Sequence, residues 1–339
     1  MKHSVQAQAF GSVAVLGGGA WGTALAQIAA AAGRSITVWA LEPEVVEAVN
    51  ARHENPLFLP DRPLNPVVKA TADLGAAIQA ELILAATPAQ HMRGVLKKIA
   101  PNIPAAKPIV LCAKGVEQKT LALMAEVLAA EIPHAGAAVL SGPGFAKDVA
   151  RGLPTATTIA SRDAELAQRI VATIGLPTFR PYVTDDLVGA EIGGSVKNVI
   201  AIACGVAEGR KLGDGARAAL ITRGFAELVR LGLAMGARLE TLSGLCGLGD
   251  LVLTCASMSS RNTSLGAALG EGRTLQQILS ERRSVAEGVA SAPAVVALAK
   301  KHGVEMPICA AVEGILDGRL SVDEAITALL SRPFRAEGQ

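Results

Sequence analysis

The sequence lacks a strong charge of either sign, and this absence excludes two classes of protein. Among 339 residues there are 32 basic and 30 acidic side chains, which gives a formal net charge of +2, and half of the residues are hydrophobic. A disordered chain has more charge and fewer apolar residues, and an electrostatic nucleic-acid binder has a strong basic excess. We therefore expect a compact protein that acts on a small molecule and binds no nucleic acid.

Motifs that hold metals or build disulfides are also missing. The five cysteines are odd in number and form no C-x-x-C pair, and the five histidines include no H-E-x-x-H motif. These absences argue against a disulfide framework and against a zinc site. We expect reduced thiols, a cytoplasmic protein and no metal cofactor.

Charged residues are absent between Lys2 and Arg34, a pattern that a signal peptide or a membrane span would also show. Glycines at positions 17, 18, 19 and 22 argue against both interpretations, because each costs about 1 kcal/mol relative to alanine inside a helix. No other segment is expected to span a bilayer. We therefore predict no targeting segment and no membrane insertion.

The same glycines form a turn between a predicted strand and a predicted helix. The order is a strand, SVAVLG, the turn GGGAWG, a helix that ends near Gly33, and a second strand, SITVWA. This is a G-x-G-x-x-G motif in its informative context, after a strand and at the start of a helix. Gly17 allows the turn, Gly19 lets the backbone approach a pyrophosphate, and Gly22 lets helix and strand pack closely. A glycine-rich turn in some other α/β protein is the alternative.

An acidic residue follows the second strand, where a dinucleotide would place its ribose. Glu42 lies 20 residues after Gly22, and a carboxylate there can accept a hydrogen bond from the ribose 2′-hydroxyl. No arginine lies directly at this strand end to bind a 2′-phosphate. The pattern favours NAD over NADP.

Three later stretches, ELILAATP, PIVLCAKG and HAGAAVLSGPG, indicate further buried strands with helices between them. This alternation predicts a doubly wound parallel sheet covered on both faces, a Rossmann-type α/β domain over residues 1–186. Ligands bind beyond the carboxyl ends of such strands, which places Lys114 and residues 141–145 at the functional edge. From about Thr184 the pattern is helical, and we predict an all-α domain over residues 187–335 with a cleft between the two domains.

Lys197 is the most unusual residue of the helical part. Between Val188 and Val206 the only charged residues are Glu191 and Lys197. Burial would lower the pKa of this lysine toward the range that suits proton transfer near neutral pH. Gly193 and Gly194 at helical spacing are expected to leave room for a ligand beside the ammonium. The alternative is a structural lysine whose ammonium reaches solvent along its apolar stem.

Two other polar features accompany this lysine. Asp250 stands alone among glycine and aliphatic residues, so its carboxylate needs a cationic or N–H partner, and Lys197 is the candidate. Ser260, Arg261 and Asn262 gather at a predicted helix start, where hydroxyl, guanidinium and amide groups can bind a phosphate. A plain N-cap with an exposed arginine is the alternative there, and an ordinary solvated lysine is the alternative for Lys114.

These residues lie in stretches that resemble the bacterial biosynthetic NAD(P)-dependent glycerol-3-phosphate dehydrogenases over nearly the whole chain. The resembling stretches are GGGAWGTALA, AKGVE, SGPGFAKDVARGLPTA, GGSVKNVIAIACG, ARAALITRGFAE, GLGDLVLTC, SRN, VAEG and GVEMPI. The lysine, aspartate and SRN segments are much more specific than the glycine turn. The resemblance implies a Rossmann domain followed by an all-helical domain.

The resemblance also implies roles for individual residues. Lys197 would be the catalytic proton donor and acceptor, with Asp250 orienting its ammonium. The positions implied to hold the glycerol phosphate are Lys114, Gly142, Gly144, Lys197, Asp250, Ser260, Arg261 and Asn262. The positions implied to contact NAD or NADP, besides Gly17, Gly19, Gly22 and Glu42, are Ala20, Trp21, Lys114, Ala146, Arg261, Val285 and Glu287. Two positions depart from the family pattern: Gly144 can contribute only its backbone, and Leu41 replaces a polar or basic residue near the ribose.

The expected reaction is reversible reduction of dihydroxyacetone phosphate to sn-glycerol 3-phosphate for glycerophospholipid synthesis. We expect a phosphorylated small-molecule substrate and, by family analogy, a homodimer. Two alternatives remain open. The chain could be another dehydrogenase with a Rossmann and a helical domain that acts on a hydroxy acid, or a dinucleotide-binding sensor without turnover.

Overall fold

A computed structural model of the protein describes residues 7–281 and 286–333. The strands are β1 Ser12–Leu16, β2 Ser35–Trp39, β3 Glu54–Asn55, β4 Leu59–Pro63, β5 Val68–Thr71, β6 Leu82–Ala85, β7 Pro108–Leu111, β8 Gly136–Ser141, β9 Thr155–Ala160 and β10 Phe179–Thr184. The helices of this first half are α1 Ala20–Ala31, α2 Pro43–Arg52, α3 Leu74–Ala77, α4 Ala89–Ile99, α5 Met124–Glu131, α6 Ala146–Val149 and α7 Ala164–Ile174.

Eight strands form one sheet in the order β10-β9-β8-β7-β6-β1-β2-β5. Neighbouring strands are parallel except β8 and β9, which are antiparallel. The predicted fold class is confirmed, with one correction: the sheet is mixed, because a short connection through α6 returns the chain beside β8 in the opposite direction. The remaining pair, β3 and β4, forms a separate hairpin.

Helices cover both faces of this sheet, and the apolar core is divided accordingly. Side chains of α1 and α7 pack on one face around Leu25 and Ile170. Side chains of α4 and α5 pack on the other face around Leu96 and Leu128. The central strands are therefore buried on both faces, which explains their continuous apolar sequences.

The second half of the described chain is helical. Its elements are α8 Leu187–Gly209, α9 Asp214–Ala234, α10 Leu239–Leu242, a π-helical turn Leu245–Gly249, α11 Asp250–Cys255, α12 Arg261–Gly270, α13 Leu275–Glu281, α14 Glu287–Lys301, α15 Pro307–Leu316 and α16 Val322–Leu330. The last strand ends at Thr184 and α8 begins at Leu187. The division into domains at residues 186 and 187 stays a prediction.

Helix α8 is the centre of the helical half, and every residue from 189 to 207 in it is buried. By length and hydropathy it is also the one described helix that could cross a membrane, which the sequence analysis did not anticipate. However, 94% of its apolar window is covered by the rest of the protein. Its apolar surface is therefore already packed against other helices, as in a core helix.

Candidate active site

The glycine turn has the backbone geometry that a dinucleotide site requires. Gly17 has φ +128°, a value that L side chains rarely adopt, and a Cβ on Gly22 would lie 1.9 Å from the Gly17 carbonyl oxygen. A Cβ on Gly19 would meet no atom within 4 Å. Close helix–strand packing and open space beside the turn are therefore both present, and the turn fits a pyrophosphate at the start of α1.

Trp21, the fifth residue of the GGGAWG turn, lies close to Lys114 and Gly144. Its indole Nε1 is buried and has no hydrogen-bond partner in the described part of the chain. The Lys114 Nζ atom lies 5.6 Å from its ring centroid, and a Cβ on Gly144 would lie 3.7 Å from its Cη2. Ala20 is the first residue of α1, and α6, which starts at Ala146, packs against that helix. These predicted cofactor positions are thus adjacent.

Glu42 and Leu41 stand at the carboxyl end of β2. Glu42 is the N-cap residue of α2, but its side chain makes no capping hydrogen bond. Leu41 beside it is 71% exposed. A free carboxylate and an exposed apolar side chain next to the glycine turn suit a ribose hydroxyl and the flat face of an adenine.

Lys197 is buried in the middle of α8 and forms two hydrogen bonds through its ammonium. Its Nζ donates to Asp250 Oδ1 at 2.6 Å and to Thr254 Oγ1 at 2.9 Å. Burial lowers the pKa of Lys197 from 10.5 to about 8, an effect opposed by the charge of Asp250 and assisted by the charge of Lys114. The expected lysine–aspartate pair is present, and the lysine titrates in the range that suits proton transfer.

The second oxygen of the same carboxylate holds a second lysine. Lys114 Nζ donates to Asp250 Oδ2 at 2.7 Å and to the Gly142 carbonyl oxygen at 2.8 Å. The Lys114 side chain is only 12% exposed, so it is not an ordinary solvated lysine. Two ammonium groups face one carboxylate, which leaves a net positive charge at the site.

The small residues next to Lys197 do not leave room for a ligand, contrary to the sequence-based expectation. A Cβ on Gly193 would lie 2.4 Å from the Cys246 carbonyl oxygen, and a Cβ on Gly194 would lie 3.0 Å from Ser141 Oγ. The space is occupied by the π-helical turn and by the end of β8. These glycines instead bring α8 close to the π-helical turn that precedes Asp250 and to the side chain of Lys114.

The SRN segment has a larger structural part than expected. Ser260 is the N-cap of α12, and its Oγ accepts a hydrogen bond from the Thr263 N–H. Asn262 Oδ1 accepts from the Gly288 N–H at 2.9 Å, and its Nδ2 donates to Asn198 Oδ1 at 2.8 Å. Most of the Asn262 amide is therefore engaged within the protein. Its backbone and the guanidinium of the neighbouring Arg261, which is exposed, are groups suited to bind a phosphate.

Glu287 is the first residue of α14 and lies in the field of these cations. Burial raises the pKa of its carboxyl group, while Arg261, Lys114 and Lys197 act in the opposite direction. The predicted cofactor contact at Val285 lies outside the described residues.

The sequence analysis missed two residues of this region. Thr254 lies one helical turn after Asp250, so its hydroxyl shares a face of α11 with the carboxylate and contacts Lys197. Asn198 donates to the Lys114 carbonyl oxygen at 3.2 Å. The i, i+4 spacing of Thr254 was available as a signal, whereas the Asn198 contact joins residues 84 positions apart.

The described residues include no group of three or more histidine, cysteine or acidic side chains placed to hold a metal ion. All five cysteines are buried and unpaired. The arrangement offers a buried proton donor, a net positive site and a dinucleotide turn, which together suit proton and hydride transfer to an anionic substrate.

Family models and known proteins match this chain along nearly its whole length. Residues 12–167 match the family described as NAD-dependent glycerol-3-phosphate dehydrogenase N-terminus, and residues 186–327 match the corresponding C-terminus family. A glycerol-3-phosphate dehydrogenase (NAD(P)+) from Parvibaculum lavamentivorans is 63% identical over 329 residues, which are 97% of this chain and 99% of that protein.

Solved structures agree with this assignment. The crystal structure of a glycerol-3-phosphate dehydrogenase from Coxiella burnetii has a TM-score of 0.92 and 40% identity, covering 95% of this chain and 99% of that one. A PanE/ApbA family ketopantoate reductase from Ralstonia eutropha has a TM-score of 0.58 and 19% identity, covering 93% of this chain and 99% of its own. The second likeness shows the fold alone.

Proposed function

The chain belongs to the NAD-dependent glycerol-3-phosphate dehydrogenase family, and from this premise we propose that it reduces dihydroxyacetone phosphate to sn-glycerol 3-phosphate. The observation that carries the proposal is Asp250, whose two carboxylate oxygens hold Lys197 and Lys114 at 2.6 and 2.7 Å. Lys114 in turn lies against Trp21 at the start of α1. Lys197, the proton donor, is thereby connected through Asp250 and Lys114 to the glycine turn at the start of α1, where the dinucleotide would bind.

Lys197 is the proton donor in the proposed mechanism. When bound, the reduced nicotinamide supplies a hydride to the C2 carbonyl carbon of the substrate. Protonated Lys197 neutralises the charge that develops on the carbonyl oxygen and gives up its proton to it. In the reverse direction neutral Lys197 takes the proton from the C2 hydroxyl. A pKa of about 8 allows both protonation states near neutral pH.

Asp250, Thr254 and Lys114 prepare this proton transfer. The carboxylate and the Thr254 hydroxyl both accept from the Lys197 ammonium, which fixes the direction in which the remaining proton points. Lys114 adds positive charge that attracts a phosphate. Together with Arg261 and the start of α12, it would set the position of the substrate phosphate.

The glycine turn, Trp21, Ala146 and Glu287 would hold the cofactor. The Glu42 carboxylate would accept a hydrogen bond from the ribose 2′-hydroxyl, and its negative charge disfavours a 2′-phosphate, so we propose that NADH is preferred over NADPH. The resemblance alone supports three further proposals: a homodimer, a cytoplasmic location, and delivery of the product to glycerophospholipid synthesis. Sedimentation of the purified protein tests the first of these.

The decisive experiment follows the oxidation of NADH and NADPH by purified protein with dihydroxyacetone phosphate, and with unphosphorylated dihydroxyacetone as control. Oxidation that requires the phosphate supports the proposal, and the two initial rates rank the cofactors. Ketopantoate, a carboxylate substrate, tests the hydroxy-acid alternative in the same assay. Cofactor binding without oxidation of either dinucleotide would favour the sensor alternative.

A matched variant tests the assigned proton donor. Lys197→Met removes the ammonium but keeps the apolar stem, so turnover should fall about 10²- to 10⁴-fold while the Kd for NADH stays nearly unchanged. Normal turnover in this variant would reject the mechanism.

A further inference from the structure

A buried amide outside the groups assigned above contacts the glycine turn directly. Asn55 lies in the β3–β4 hairpin and is 0% exposed. Its Nδ2 donates to the Gly18 carbonyl oxygen and to Thr23 Oγ1, both at 2.8 Å, and its Oδ1 accepts from the Phe58 N–H at 3.3 Å. Both amide protons are therefore used, and both reach α1 and the turn that precedes it.

The contact with Gly18 determines the direction of the next N–H group. In a trans peptide the carbonyl of one residue and the N–H of the following residue point in opposite directions. Because Asn55 holds the Gly18 carbonyl toward the hairpin, the Gly19 N–H points away from it. Within the described part of the chain this N–H donates to no acceptor, and the space next to Gly19 is open.

This peptide depends on hydrogen bonds to its carbonyl oxygen, because glycine lies on both of its sides. The Gly18 carbonyl oxygen accepts from Asn55 Nδ2 at 2.8 Å and more weakly from Thr23 Oγ1 at 3.3 Å, and Asn55 also holds that hydroxyl in place. Glycine adopts many backbone conformations at little cost, so neither residue fixes the plane of the peptide by its own sterics. A side chain on Gly18 is excluded as well, since its Cβ would lie 2.6 Å from the Cβ of Ala40. If the peptide turned over, a carbonyl oxygen would face the phosphates in place of an N–H.

We propose that Asn55 is a positioning residue for the dinucleotide, which holds the Gly18–Gly19 peptide with its N–H directed at the pyrophosphate. The inference rests on the proposed function only in taking a dinucleotide as the ligand. A purely structural role, attachment of the hairpin to α1, is the competing explanation.

The chain supplies a matched control for that competing role. Gln27 also attaches this part of the chain to α1. Its Nε2 donates to the Pro63 carbonyl oxygen at 3.2 Å, and its Oε1 accepts from the Asn65 N–H at 2.7 Å. Among the described residues, its side chain forms no hydrogen bond with the glycine turn. Gln27→Ala therefore loosens the same attachment and leaves the Gly18 carbonyl bound.

The test measures the Kd for NADH and for ADP-ribose by calorimetry, the KM for dihydroxyacetone phosphate at saturating NADH, and the Tm, in Asn55→Leu and Gln27→Ala. Loss of one hydrogen bond to a charged group predicts a 10- to 100-fold rise, roughly, in both Kd values for Asn55→Leu. Because ADP-ribose contains the pyrophosphate and lacks the nicotinamide, the two rises should be equal. The KM for the phosphate substrate should change less than about twofold.

Several outcomes overturn the inference. Unchanged Kd values in folded Asn55→Leu would do so, and so would an equal loss of affinity in Gln27→Ala, which would assign the effect to hairpin attachment. If Asn55→Leu does not fold, Asn55→Ser takes its place, because it also removes the amide donors and its side chain is smaller than that of asparagine. If the wild-type protein binds ADP-ribose in an Asn55-dependent way but oxidises no NADH, the proposed function fails while the positioning role stands.

Discussion

At the scale of single residues, the protonation of Lys197 is set by opposing influences. Burial and the charge of Lys114 lower its pKa, whereas the charge of Asp250 and the hydrogen bond to it raise the pKa. The result, about 8, lies well below the value of a free lysine. Because the charge of each neighbour has a known sign, the direction in which its removal shifts the Lys197 pKa can be predicted for each neighbour separately.

We expect the pH profile of kcat/KM to report this balance. Reduction needs protonated Lys197, so kcat/KM for reduction should fall as pH rises through about 8, and oxidation of glycerol 3-phosphate should rise over the same range. Asp250→Asn should move the midpoint to lower pH because it removes the stabilising negative charge. Lys114→Met should move it to higher pH because it removes a neighbouring positive charge. A midpoint that stays in place in both variants would mean that another group titrates.

The preference between NADH and NADPH is also argued from a single residue, Glu42. Glu42 forms no capping hydrogen bond, so its carboxylate is available at the carboxyl end of β2. Glu42→Gln should tighten NADPH binding by about fivefold, because removing the repulsion between two charges in water is worth about 1 kcal/mol. NADH affinity should change little or weaken. Glu44→Gln, an exposed acidic residue in the first turn of the same helix, is the control, and an equal effect there would remove the special role of Glu42.

Sequence reasoning found the individual polar groups better than their partners. Asp250 stood out as a lone carboxylate among apolar residues, and Lys197 was its expected partner. Lys114 could not be added from sequence, because it contacts Asp250 across 136 positions. The hydrogen-bond partners of Asn262 could not be predicted for a similar reason, since they lie on α8 and α14. Such partners depend on how elements pack, which a local pattern does not contain.

At the scale of elements, the close packing of α8 against α12 sets the spacing between the proton donor and the SRN segment. A Cβ on Gly205 of α8 would lie 2.0 Å from the Thr263 carbonyl oxygen, and one on Gly266 of α12 would lie 2.1 Å from the Ile202 carbonyl oxygen. The two backbones are thus in direct contact. Lys197 lies on one of these helices and Arg261 begins the other.

Gly205→Ala should therefore separate the two helices. Overpacking of this kind costs about 1–3 kcal/mol of unfolding free energy, and the displaced α12 should also raise the KM for dihydroxyacetone phosphate. Urea denaturation and steady-state kinetics measure the two effects. Gly215→Ala in α9 is the control, because its Cβ would meet no atom within 4 Å, and it should be neutral or stabilising by up to about 1 kcal/mol. Equal behaviour of both variants would contradict the packing argument.

The elements themselves were predicted unevenly. The apolar strands β1, β2, β6, β7 and β8 were identified from their sequences. Strands β5, β9 and β10 were not, because they lie toward the edges of the sheet and their sequences VKAT, TATTIA and FRPYVT mix polar and apolar residues. Continuous apolar sequence identifies an element buried on both faces more readily than one buried on a single face.

At the scale of the whole molecule, α8 joins the sheet half to the helical half through buried polar contacts. Near its start, Glu191 is 5% exposed, and its Oε1 accepts from the Ala125 N–H at the beginning of α5 at 2.9 Å. Its other oxygen is buried without a hydrogen-bond partner among the described residues. Burial raises the pKa of this carboxyl group from 4.5 to about 8. The contact between the two halves thus contains a group that prefers to be protonated.

This preference gives the stability of the whole protein a definite pH dependence. Between pH 4.5 and about 8 the folded protein keeps a proton on Glu191 that the unfolded chain has lost. Unfolding therefore releases a proton, and the contribution of this group to stability falls as pH rises through that range.

Glu191→Gln should remove this dependence, because an amide of nearly the same shape does not titrate and its oxygen can still accept from the Ala125 N–H. The difference in unfolding free energy, variant minus wild type, should therefore increase as pH is raised from about 5 to about 8. The increase should be at least about 1.4 kcal/mol, the free energy of one pKa unit. Urea denaturation at both pH values measures the change. Glu165→Gln, an exposed residue of α7, should leave the pH dependence as it is. A wild-type-like pH slope in Glu191→Gln would show that the carboxyl group is already ionised at the contact, with its charge balanced by the N–H groups at the start of α5.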